Sequence, residues 1–122
     1  MLQAFLALSE AALYRPATLG RREREVLALA TSLANQAEYS ATAHAALLEE
    51  LGGADAGERD QALVDFARRL TLAPHEGGEA VSELRSHLSD AEVHDAIAVV
   101  GLLNFANRAA LATGITAADD LR

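Results

Sequence analysis

The chain contains no cysteine. Disulfides and thiolate metal sites are thereby excluded. Aromatic residues make up only 4% of the 122 positions. A core built mainly from Ala and Leu buries little area per residue, so a single copy is marginally stable and association of copies is a natural remedy. Basic residues are scarce relative to acidic ones, 10 against 18, which gives a formal charge of −8. Phosphate binding needs a clustered positive face, so nucleic acid is not the expected partner, and an anionic membrane surface is disfavoured for the same reason. Arg21, Arg22 and Arg24 do cluster, but Glu23 and Glu25 interleave with them, as on a solvated helix face. The longest apolar run, Ala96 to Leu103, is far short of the ~20 residues that span a bilayer. The opening MLQAFLALSEAAL has neither a basic leader nor a clear cleavage site and is not read as a signal peptide. The expectation is one domain over residues 1–122, soluble and cytoplasmic, with no internal repeat.

What is present favours helix. Hydrophobic residues reach 51%, with 28 Ala and 20 Leu against 14 Val, Ile and Thr together. The only two prolines, Pro16 and Pro74, fall between periodic segments. The patterning predicts an all-α chain of about six helices. They cover about Leu2–Leu13, Leu19–Asn35, Tyr39 or Ser40 to the Gly52-Gly53 pair, Ala56–Leu72, Gly78–His87, and a long helix ending at Gly114. Ser89-Asp90-Ala91-Glu92 reads as a capping box that starts the last helix. From Ala96 to Ala106 that helix is apolar all round apart from Asn104, so it is buried on every side or faces a neighbouring subunit.

Chemistry concentrates between residues 25 and 44. Ser40 and His44 are four apart at a helix start and share a face. Glu25 lies on the preceding helix, which antiparallel packing could bring to the same spot. Each residue also has a plainer reading. Glu25 suits a helix surface, His44 a packed or capping position, Ser40 a helix N-terminus and Asn35 a C-terminal cap. His75, His87 and His94 lack the i, i+3 or i+4 partners of a metal site and read as exposed. No metal and no cofactor is expected.

The run Arg24-Glu25-Val26-Leu27-Ala28-Leu29-Ala30, followed by Asn35, Ala37, Tyr39, Ser40 and His44, resembles the alkylhydroperoxidase AhpD-like family, also called the carboxymuconolactone decarboxylase family. Members read R-E-x-x-A-L-A and then N-x-C-x-Y-C-x-x-x-H. The likeness continues through ALVDFARRL and LSDAEVHDAIAVVGLLNFANRAA. It implies an orthogonal helical bundle and a homo-oligomer, a trimer or hexamer. It also implies a site made of Glu25, Ala37, Ser40 and His44. In the family the second cysteine attacks a hydroperoxide and the first resolves the sulfenic acid, while the glutamate and histidine manage protons. Here Ala37 and Ser40 stand at the two cysteine positions. Serine cannot cycle through sulfenic acid and disulfide states. Three readings follow: a redox-silent member that binds a small molecule or assembles; a decarboxylase-type acid–base enzyme using Glu25 and His44; or a Ser40–His44–Glu25 nucleophilic triad.

Overall fold

A computed structural model describes residues 1–114; residues 115–122 of the expected domain lie outside the described residues. Six α-helices occur: α1 (Leu2–Ser9), α2 (Arg21–Ala34), α3 (Glu38–Glu50), α4 (Glu58–Leu72), α5 (Gly77–Leu84) and α6 (Asp90–Thr113). A π-helical turn, Glu10–Tyr14, continues α1, and a 3-10 turn, Pro74–Glu76, precedes α5. No strand is present among the described residues. The expected helices are therefore found, each within a few residues of its reading from sequence. The first differs most, because its last turn is π rather than α.

The ends follow from local chemistry. Helix α6 starts on the capping box: the Glu92 amide donates to Ser89 Oγ at 3.2 Å, and the Ser89 amide donates to Glu92 Oε1 at 2.9 Å. Helix α3 closes in a Schellman motif, in which the Gly53 amide reaches the Leu48 carbonyl at 2.9 Å and the Gly52 amide the Glu49 carbonyl at 3.2 Å. Gly52 needs φ +107° there, which glycine alone adopts without strain.

Helix α2 is the centre of the bundle and packs against α3, α4 and α6. Leu27, Leu63, Ala67, Ala96, Val99 and Val100 close the interior with no exposed surface. Each fully buried Leu or Val contributes about 1.5–3 kcal/mol relative to an exposed one. The solvated-face reading of the arginine cluster fails for Arg24, which is 2% exposed. Its Nη1 donates to the Ala12 carbonyl inside the π turn at 3.3 Å, and burial lowers its pKa. Arg22 instead forms a two-pronged pair with buried Asp60 on α4, at 2.7 and 2.8 Å. Arg59 ties three elements together: it donates to Glu23 of α2 at 2.5 Å, to Glu92 of α6, and to the His87 carbonyl at 2.9 Å.

Helix α6 is not buried on every side. Val93, Ala96, Val99, Val100, Leu102 and Leu103 face inward, whereas Ile97, Phe105 and Leu111 are 39–50% exposed. By length and composition α6 could cross a membrane; here it packs along α2 and α4. Helix α1 has no buried residue at all. Leu2 and Leu6 stand open to solvent, and the helix meets α6 through the Phe5 and Phe105 rings, whose centroids are 5.7 Å apart. The two helices thus present their exposed apolar side chains on either side of this ring contact.

Candidate functional site

The site sits where α2 ends and α3 begins. Helix α2 terminates in a second Schellman motif, with Ala37 N–H donating to the Ser32 carbonyl at 2.9 Å and Gln36 N–H to the Leu33 carbonyl at 3.0 Å. Asn35 is the C-cap, as one of its readings had it. The turn reverses the chain within three residues, so α3 runs back along α2 and the chain at 44 comes to lie beside the chain at 25.

Glu25 and His44 meet directly. The Glu25 Oε2 to His44 Nδ1 distance is 2.6 Å. The glutamate side chain is fully buried and the histidine side chain keeps 11% of its surface exposed. The surface-helix reading of Glu25 is therefore excluded. An ionised carboxylate can only accept, so facing one His44 donates from Nδ1, and the neutral imidazole of that tautomer has its lone pair on Nε2. The other carboxylate oxygen, Glu25 Oε1, is buried without a hydrogen-bond partner.

Ser40 does not join this pair. Its Oγ lies 3.1 Å from Ser32 Oγ, and Ser32 Oγ donates to Asn107 Oδ1 at 3.4 Å. The hydroxyls therefore run as a chain, Ser40 to Ser32 to Asn107, from α3 through α2 to α6. His44 receives no hydrogen bond from Ser40, and a Ser–His–Glu triad is not assembled. Asn107 is fully buried and its Nδ2 is also unpartnered. A second polar link lies alongside. Asn35 Nδ2 donates to Asn104 Oδ1 at 3.0 Å, and Asn104 Nδ2 donates to Thr71 Oγ1 at 3.0 Å. Ala37 is buried at the N-cap of α3. Tyr39 is half-buried in the first turn.

Ser32 escaped the reading from sequence, whereas Asn107, like Asn104, stands out there as a polar residue in an apolar helix that needs a hydrogen-bond partner when buried. One signal for Ser32 was available: it follows Glu25 by seven residues, two helical turns, and so shares its face. The partner of Asn107 is not legible locally, because it lies 75 residues away.

A cleft of about 610 Å³ runs between α2 and α3, lined on the α3 side by Ala41 and Ala45, which flank His44 in sequence, but by neither Glu25 nor His44. Leu29, Leu33, Ala37, Ala41 and Ala45 form its apolar wall. A second cleft of similar size lies between α4 and α5, floored by Phe66 and Leu84, away from Glu25 and His44. His75, His87 and His94 are exposed. No group of three or more His, Asp or Glu able to hold a metal occurs among the described residues.

The fold is an all-α bundle whose central helix brings a buried carboxylate to an imidazole on the next helix. The sequence comparisons make this specific. Residues 1–64 match the model of the carboxymuconolactone decarboxylase family. Two solved structures share the fold. An uncharacterized peroxidase-related protein from Silicibacter sp. TM1040 is 30% identical with a TM-score of 0.86, the match covering 94% of this chain and 69% of that one. An uncharacterized peroxidase-related protein from Ralstonia eutropha JMP134, described as an alkylhydroperoxidase AhpD core, is 32% identical with a TM-score of 0.76, covering 90% and 66%. The chain thus spans about two thirds of the length of either. Among curated proteins no sequence matches. The chain belongs to the carboxymuconolactone decarboxylase family, with the AhpD-like fold and with Ala37 and Ser40 in place of a cysteine pair.

Proposed function

We propose that this protein is a thiol-independent member of its family in which Glu25 and His44 work as a general acid–base pair on a small molecule, moving a proton at a carbon next to a carbonyl. One observation carries the reading. A fully buried carboxylate is held 2.6 Å from an imidazole while its second oxygen has no partner. Such an oxygen destabilises a fold, so the arrangement is better explained by chemistry than by packing. Glu25 fixes the imidazole orientation and tautomer. His44 Nε2 then takes the proton, and the carboxylate stabilises the imidazolium that forms. The peroxidase chemistry that the relatives' descriptions suggest requires a thiolate, and this chain has no cysteine. Proton transfer at the α-carbon of an uncharged carbonyl compound needs only acid–base groups, and Glu25 with His44 supplies them.

The assay is exchange of the α-hydrogen of simple carbonyl compounds into D2O, followed by NMR. Wild type should catalyse exchange, and Glu25→Gln and His44→Ala should each lose about 10²–10⁴-fold, the usual contribution of a positioned acid or base. Exchange at the wild-type rate in both variants would remove the proposal. Thiol-dependent hydroperoxide reduction should be undetectable in all three proteins.

The same reading takes the protein as a cytoplasmic homo-oligomer, a trimer or hexamer. The support is the exposed apolar side chains of α1 and α6, Leu2 and Leu6 on one and Ile97 and Phe105 on the other, with α1 itself uncharged. In a chain of charge −8 an uncharged face is where a second copy can approach without repulsion. Sedimentation should show an oligomer that Phe105→Glu dissociates; a wild-type monomer at micromolar concentration would overturn it.

A further inference from the structure

Gln36 is the one described non-glycine residue with positive φ, at +55°. It occupies the C′ position of the α2 Schellman motif, where glycine, and after it asparagine, fits best. The hydrogen bonds of that motif are made by the backbone of Gln36 and Ala37. The fold therefore makes no use of the glutamine side chain. That side chain is exposed, makes no hydrogen bond among the described residues, and lines the α2–α3 cleft. Strained backbone positions cluster at ligand clamps and switch regions, and this one lies beside a cleft.

The cleft itself limits what that contact can be. Its wall is apolar, and Leu33 in it is 60% exposed, a large aliphatic side chain left in water. Its polar lining is Ser32, Gln36, Glu38 and Thr42, with no Lys, Arg or His. A carboxylate ligand finds no cation there. It would also meet Glu38 in the first turn of α3, which offsets the pull of that helix N-terminus. A neutral ligand meets an apolar wall and an amide that can both donate and accept.

We propose that the α2–α3 cleft binds a small uncharged molecule with an apolar body and one hydrogen-bonding end, and that Gln36 holds that end and sets the preference against carboxylates. Ala41 and Ala45 of the cleft wall lie three residues before and one after His44 on α3, which relates the cleft to the acid–base pair. The inference deepens the acid–base reading and rests on it only for what happens to the bound molecule.

Cyclohexyl methyl ketone and cyclohexanecarboxylate share a ring and a carbonyl and differ in charge. Each is titrated into the full chain, with amide NMR shifts followed at residues 36, 42 and 45. The ketone should perturb these amides, and the carboxylate should not. Gln36→Gly should weaken ketone binding about two- to tenfold, the effect of one neutral hydrogen bond. It should also raise the melting temperature by about 2–4 °C, because the strain is relieved. Ala45→Leu, which fills the wall, should abolish binding and tests the site where Gln36→Gly is weak. Carboxylate binding as tight as ketone binding, ketone binding unchanged in Gln36→Gly, or no shift with either compound would each overturn the proposal. Glu25→Gln separates the two readings: it should bind the ketone as wild type does while losing hydrogen exchange. Binding without exchange in the wild type leaves the cleft standing and removes the acid–base role; exchange without binding at these residues does the reverse.

Discussion

Removing His44 should cost this fold far more than an ordinary surface substitution. Glu25 is fully buried, and among the described residues its carboxylate has His44 as its only hydrogen-bond partner. In His44→Ala both oxygens are left in the interior without a partner. Breaking a buried pair from one side typically costs about 3–5 kcal/mol. At ~0.05–0.15 kcal/mol per residue a domain of 122 residues has about 6–18 kcal/mol in total. The substitution therefore removes about a quarter to two fifths of the stability of a domain in the middle of that range. With an unfolding entropy of about 2.1 cal/mol/K per residue, each kcal/mol corresponds to roughly 4 °C, and the melting temperature should fall by about 12–20 °C. Urea and thermal unfolding followed by circular dichroism at neutral pH measure this. The double substitution Glu25→Leu with His44→Leu removes both polar groups and fills the space with apolar atoms. It should recover wild-type stability or exceed it by about 1–4 kcal/mol, because paired desolvation is no longer needed. It should also be inert in the exchange assay. A loss below about 1 kcal/mol in His44→Ala, the scale of an exposed pair, would show that the carboxylate reaches water, and the reasoning about a buried dyad would fail.

Acid should also act through Asp60. Its carboxyl is held below the usual aspartate range by hydrogen bonds from Arg22, assisted by the Asp55 amide at 2.9 Å, against the opposing effect of burial. A depressed folded pKa contributes stability above the unfolded value of about 3.9 and loses it as pH falls through the folded value. Thermal unfolding at pH 7 and pH 3 should show a smaller acid-induced drop in Asp60→Asn than in wild type, and equal drops would refute the linkage. Ala37→Cys with Ser40→Cys places two thiols one turn apart at the start of α3. Thiol titration should then find an internal disulfide after mild oxidation; two free thiols would mean that this turn no longer has disulfide geometry.

Helix ends were readable because their chemistry is local. Ser89 with Glu92, and Gly52 with Gly53, specify a start and a stop within a few residues. The pairing of Glu25 with His44 was readable because a short reversal between α2 and α3 leaves little freedom in where residue 44 lands. Burial was not readable in the same way. Helix α2 is buried at Arg24, Glu25, Val26, Leu27 and Ala28 in succession, so it carries no apolar stripe to mark an inside. RREREV looks like surface because the contacts that enclose it come from the π turn, α3 and α6. The converse holds in α6, whose uniform apolar middle did not reveal that Ile97 and Phe105 would stay open. The partner of Ser40 was missed because Ser32 belongs to another helix, and i, i+4 spacing says nothing about such neighbours.

The π turn at Glu10–Tyr14, closed by the Arg15 amide on the Glu10 carbonyl at 2.9 Å, holds one residue more than an α-turn over the same stretch. Deleting a residue there would return the segment to regular α-helix and rotate everything before it by ~100° about its axis. Phe5 would swing away from Phe105, and Leu2 and Leu6 would point elsewhere. The exposed apolar side chains of α1 and α6 would be parted, while Glu25 and His44, both beyond the turn, would stay where they are. In the proposed oligomer, a single insertion or deletion at this turn would therefore change how copies meet without touching Glu25 or His44, leaving assembly and site free to evolve at separate rates.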